Sequence, residues 1–147
     1  MYIEHITQIE QLKEVVTLLF IQLDFEIEKP IYLQLVEQII AGIAKEHLTP
    51  GERLPSVRNM AADIGINMHT VNKAYQELRQ RGFILIHRQR GVVVNPDGPP
   101  LADETYMTEL EETLHPLIAE AVCRQISRRD FLQMCDEIYS TYREGGD

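Results

Sequence analysis

Between Arg53 and Arg90 the chain places seven cationic side chains (Arg53, Arg58, Lys73, Arg79, Arg81, Arg88 and Arg90) against two acids, Asp63 and Glu77. Cations at that density suit phosphate. Arginine offers a planar fork of donors that fits a phosphate or a guanine edge, and lysine a mobile point charge. Among them stand Ser56, Asn67, His69, Thr70 and Asn72, short polar groups able to donate to phosphate oxygens or base edges. The rest of the chain has the opposite sign: residues 1–29 carry −4, residues 30–95 carry +3 and residues 96–147 carry −8, within a total of −9 over 147 residues. Taken whole, that charge argues against a nucleic-acid partner. Taken by segment, it describes a basic module between acidic flanks, for which a merely solvated basic face is the competing reading.

Other chemistries are weakly represented. Glu111, Glu112 and His115 fall within one helical turn, but no second pair at ligand spacing accompanies them, so no metal site is expected. Cys123 and Cys135 are too few for a disulfide framework or a four-cysteine zinc site; they read as small core residues, and as a redox pair only if the last two helices form a hairpin. No glycine-rich phosphate loop and no plausible serine, histidine and carboxylate set is present, so neither catalysis nor a cofactor is expected. The chain shows no secretory start and no apolar run near the roughly 20 residues of a membrane span, which makes the cytoplasm the expected compartment. A composition 44% hydrophobic and 25% charged is that of a globular protein, and 147 residues suit one ordinary domain or a small domain with an appendage, too short for a large catalytic domain.

The elements that must position the basic module follow from periodicity. Thr7 to Glu10 form a possible capping box ahead of Ile9, Leu12, Val16 and Leu19, which predicts an amphipathic helix within residues 1–20. Ile21, Leu23, Phe25 and Ile27 alternate with polar residues, as in a short strand or extended arm. Pro30 suits a helix start, and Ile31, Leu35, Ile39 and Ile43 give it a stripe until Thr49-Pro50-Gly51 breaks it. Ser56 can cap a helix running to Ile64 and ending at Gly65; Asn67 can cap a second with Val71, Ala74, Tyr75 and Leu78 inward, closed by Gly82. Two helices joined this way are a helix-turn-helix. Phe83 to His87 and Val92 to Val94 then predict a two-stranded hairpin with a basic tip at Arg88, Gln89, Arg90 and Gly91.

The proline-rich stretch from Asn95 to Pro100 reads as a linker, so the expected organisation is an extension over 1–20, a helix-turn-helix domain with its hairpin over 21–95, a linker over 96–102 and a helical region over 103–147. In that last region Met107, Leu110, Leu114, Leu117 and Ala121, then Phe131, Cys135, Ile138 and Tyr142, recur at heptad intervals. Two helices alone bury too little of such seams, which predicts packing on the same pair from a second chain. Pro116 is expected to kink or split the first of them.

Three stretches carry a resemblance: Pro30 to Gln34; Leu48-Thr49-Pro50-Gly51-Glu52-Arg53-Leu54-Pro55-Ser56-Val57-Arg58; and Asn67-Met68-His69-Thr70-Val71-Asn72-Lys73-Ala74-Tyr75-Gln76-Glu77-Leu78 with Gly82-Phe83-Ile84. The chain resembles the GntR family of winged-helix transcription regulators, and its short helical C-terminal region resembles the YtrA-type subfamily. The resemblance implies a mainly α fold with a small β wing (α+β): a winged helix-turn-helix domain and a C-terminal two-helix dimerisation region. It further implies a homodimer that binds an inverted-repeat operator in double-stranded DNA, usually as a repressor and often of an ABC transporter operon. Carried over to this chain, the implied DNA-binding residues are Arg53, Ser56, Arg58, Asn67, Met68, His69, Thr70, Asn72, Lys73, Arg88, Arg90 and Gly91. Met68 stands where the family often has proline, and Gln89 where its wing tip has a first glycine.

Overall fold

The computed structural model describes Gln8 and residues 20–143; the amphipathic helix expected over residues 1–20 lies outside these except for Gln8, which is helical, and Phe20. The contacts divide the chain between Pro99 and Pro100 into two units.

In the first unit, helix α1 spans Ile31–Ala44, β1 Arg53–Leu54, α2 Val57–Ile64, α3 Met68–Gln80, β2 Ile84–His87 and β3 Gly91–Val94. Pro30 sits just outside α1, and its carbonyl accepts from the Leu33 and Gln34 amides. The stripe expected on α1 buries Leu35 and Ile39, with Ile31 and Ile43 half-buried. Gly42 makes a notch on this helix, since a Cβ there would stand 2.8 Å from the Phe20 ring. Helices α1 and α2 both pack on α3, whose Val71, Ala74, Tyr75 and Leu78 are buried with Leu35, Val36, Ile39, Met60 and Ala61. The punctuation between helices is local. Ser56 Oγ accepts from the Asn59 amide at 3.1 Å, Gly65 ends α2 at φ 71°, and Asn67 Oδ1 accepts from the His69 amide at 2.8 Å.

A buried hydrogen bond fixes α3 against the start of α2: the Tyr75 hydroxyl donates to the Pro55 carbonyl at 2.7 Å. Tyr75→Phe keeps the ring and strips that carbonyl of its donor, at an expected cost of about 1–2 kcal/mol. Urea denaturation should show a lower midpoint at unchanged slope; an unchanged midpoint would mean that the bond adds nothing to stability.

The wing differs from the two-stranded hairpin expected. Among the described residues the sheet has three antiparallel strands in the order β1-β3-β2, with Arg53 opposite Val93, Leu54 opposite Val92, and Ile84 to His87 opposite Val94 to Gly91. The Gly51 amide donating to the Val94 carbonyl and the Val94 amide donating to the Glu52 carbonyl extend the pairing of β1 with β3.

Residues 21–29 form no strand. Ile21 and Leu23 pack on the core, whereas Phe25 and Ile27 are exposed because the chain bends after Asp24, whose Oδ1 accepts from the Glu26 amide. What holds the segment is a pair of glutamines one turn apart on α1. Gln34 Oε1 accepts from the Asp24 amide and its Nε2 donates to the Asp24 and Lys29 carbonyls; Gln38 makes the same two-way contact with Gln22. Each side-chain amide stands in for a missing strand partner, so a buried Gln34 leaves no polar group orphaned.

The second unit holds α4, Glu104–Cys123, and α5, Arg128–Ser140, capped by Asp103 and Ser127. Helix α4 is not split at Pro116. Proline removes the donor for the Glu112 carbonyl, but this helix is exposed and water can take that bond. The helix ends where Gln125 adopts φ 62°, with its amide donating to Val122 and that of Ile126 to Ala121, a closure that satisfies two terminal carbonyls. The two helices do not close face to face, and Cys123 and Cys135 are free and exposed instead of lying in a core. Exposed too are Met107, Leu110, Leu114 and Leu117 of α4, with Ile138 and Tyr142 beyond; Phe131 is half-buried and Ala121 is buried.

Candidate nucleic-acid interface

Helix caps decide what the polar residues have left to offer. Ser56 uses its oxygen as an acceptor for the start of α2, so its hydroxyl hydrogen stays available to a phosphate. Asn67 commits Oδ1 to the start of α3 and keeps two Nδ2 hydrogens. Both caps stand at helix N-termini, where uncompensated backbone amides favour anions. Arg58 is exposed in the first turn of α2.

Helix α3 separates its faces cleanly. Opposite the buried Val71, Ala74, Tyr75 and Leu78 lie exposed His69, Asn72 and Lys73, with Thr70 half-buried and Met68 45% exposed at the first helical position. Gln76 belongs to the same outward face, one turn beyond Asn72, and is exposed. It was absent from the residues expected to touch DNA, although its four-residue spacing from Asn72 was the available signal. Arg81 is tied to Glu77 at 2.8 Å, in keeping with a structural role at the helix end. Lys73 has its ammonium 3.9 Å from the centroid of the Tyr32 ring, a contact without any signal in local spacing.

At the wing, Arg88, Gln89 and Arg90 form the exposed turn and Gly91 supplies the left-handed residue at φ 71°. Gln89 has no positive φ, so the missing first glycine is not needed for this turn. A Cβ at Gly91 would lie 3.5 Å from Nε and Nη2 of Arg53. The third strand therefore brings a further guanidinium alongside the basic tip. Among the described residues, Arg53, Arg58, Lys73, Arg88 and Arg90 enter no ion pair, which leaves their charge unneutralised.

His115 lies 3.7 Å from Glu111 with both side chains exposed, and no described cluster of three His, Cys, Asp or Glu could hold a metal ion. No described helix is long and apolar enough to cross a membrane.

Comparison with known proteins agrees with the geometry. Residues 31–94 match the family described as bacterial regulatory proteins, gntR family. The HTH-type transcriptional repressor YtrA of Bacillus subtilis is 39% identical over 101 residues, covering 69% of this chain and 78% of that protein. The crystal structure of a transcriptional antiterminator from Listeria monocytogenes superposes with a TM-score of 0.76 at 30% identity, covering 86% of this chain and 93% of that one. YtrA from Sulfolobus acidocaldarius, a GntR-family transcription factor, gives a TM-score of 0.56 at 40% identity over 68% of this chain and 98% of its own. With a winged helix-turn-helix whose outward cations are unpaired, and relatives matched over most of their length, the chain belongs to the GntR family as a DNA-binding transcription regulator of the YtrA type.

Proposed function

We propose that this protein is a cytoplasmic repressor that binds an inverted-repeat operator as a homodimer. The observation that carries the reading is the set of unpaired cations at the start of α2, along α3 and around the wing. In this arrangement α3 enters the major groove with Met68, His69, Thr70 and Asn72 toward base edges. Ser56, Asn67, Arg58 and Lys73 hold phosphates and set the register. Arg88 and Arg90, backed by Arg53, reach the adjacent minor groove or its phosphates. The exposed apolar faces of α4 and α5 meet those of a second copy, aligning two wings and two recognition helices with two half-sites. The regulated operon implied by the resemblance is one encoding an ABC transporter.

Fluorescence anisotropy with the DNA upstream of the protein's own gene tests this. An inverted repeat there should bind about 10³-fold or more tightly than a scrambled duplex at physiological salt. Affinity should also fall steeply as salt rises, through counterion release. Equal affinity for both duplexes would sink the sequence-specific reading.

A further inference from the structure

Lys73 is a long, flexible cation, and its ammonium lies 3.9 Å from the centroid of the Tyr32 ring. Tyr32 lies in the first turn of α1 and Lys73 in the second turn of α3, and the packing of these two helices brings them together. The competing partner would be Glu77, four residues along the same helix at ion-pair spacing. That carboxylate is taken by Arg81 at 2.8 Å. The difference matters chemically. A carboxylate would neutralise Lys73, whereas an aromatic face attracts the cation through its quadrupole and leaves the charge in full. The ammonium donors turned away from the ring stay free.

We propose that Tyr32 is a positioning residue for phosphate binding: its ring parks the Lys73 ammonium, still fully charged, where it meets a phosphate of the operator. Ordering the side chain before the DNA arrives lowers the cost of ordering it on binding. The proposal rests on the DNA-binding role given to Lys73 above. It assigns Tyr32 a part that Lys73 must mediate.

The test is a double-mutant cycle in the full chain, with operator titrations at several salt concentrations. Lys73→Ala should weaken binding about 5-fold and lower the salt slope by roughly one per half-site. Tyr32→Leu should weaken it about 3-fold, Tyr32→Phe should match the wild type because the ring persists, and the Tyr32→Leu/Lys73→Ala double variant should bind no worse than Lys73→Ala alone. If Tyr32→Leu costs the same factor with or without Lys73, or if Tyr32→Phe binds as poorly as Tyr32→Leu, the proposal is overturned. Tyr32 also packs on the core, so a measurement on the unmutated protein accompanies the cycle. The ε-methylene protons of Lys73 should show an upfield ring-current shift that changes when operator is added, and no such shift would overturn the proposal. Wild-type binding left unchanged by Lys73→Ala would overturn it while leaving the repressor reading intact. A wild type that prefers no operator would remove both.

Discussion

Removing residues 100–147 is expected to turn a dimer of twice the 17.0 kDa chain mass into a monomer whose operator affinity falls by about 10²–10⁴. The size of the effect comes from linkage. In the proposed dimer, two recognition units joined through α4 and α5 would bind the second half-site at the high effective concentration set by the first, and separate units would not. The first unit encloses a hydrophobic core of its own, so the shortened chain should remain folded. Light scattering gives the mass, and anisotropy gives the affinity for whole and half operators. The same outcome should follow in the full-length chain from Leu114→Glu, which places a charge in the middle of the apolar stripe. Leu114 is 38% exposed in one chain, so the substitution costs some packing there and more against a partner. A shortened chain that stays dimeric would place the seam within residues 1–99.

Arg58→Ala carries the second large effect. Its guanidinium is exposed and unpaired at the start of α2, so a thermal melt should move by no more than about 0.5 kcal/mol in stability. Operator affinity should fall by about 1–3 kcal/mol per half-site, and a symmetric dimer loses two such contacts. The salt dependence separates two roles. Loss of a phosphate contact weakens all sequences alike and lowers the slope by about 0.9 per contact. Loss of a guanine contact instead relaxes specificity at one base pair of each half-site. Unchanged affinity at every salt concentration would remove Arg58 from the interface.

What was legible in the sequence was what the chain decides locally. Ser56, Gly65 and Asn67 were readable because a cap or a left-handed residue acts within three positions of itself. The inward face of α3 was readable because it repeats along one helix. The strand at Arg53 and Leu54 was not, because two residues hold no alternation and their pairing with Val93 and Val92 is remote in the chain. The alternation from Ile21 to Ile27 pointed to a strand or an extended arm, and what excluded the strand was that its polar partners are two glutamine side chains on a helix. Lys73 over Tyr32, and Arg53 beside Gly91, likewise depend on tertiary packing that spacing does not record. The heptad stripes of the second unit showed which faces are apolar and left uncovered by one chain, while the exposure of Cys123 and Cys135, read as small core residues, was not legible.

The two-residue strand has a mechanical meaning. Leu54 is hydrogen-bonded into the wing and is followed directly by Pro55, which holds Tyr75 of α3, and by Ser56, which opens α2. Wing, cap and recognition helix are thereby linked like the jaws of a caliper. In the docking proposed above, such a tool would gauge the distance from a major groove to the minor groove beside it. A base pair inserted within a half-site would then have to be absorbed by breaking these links or by deforming the DNA.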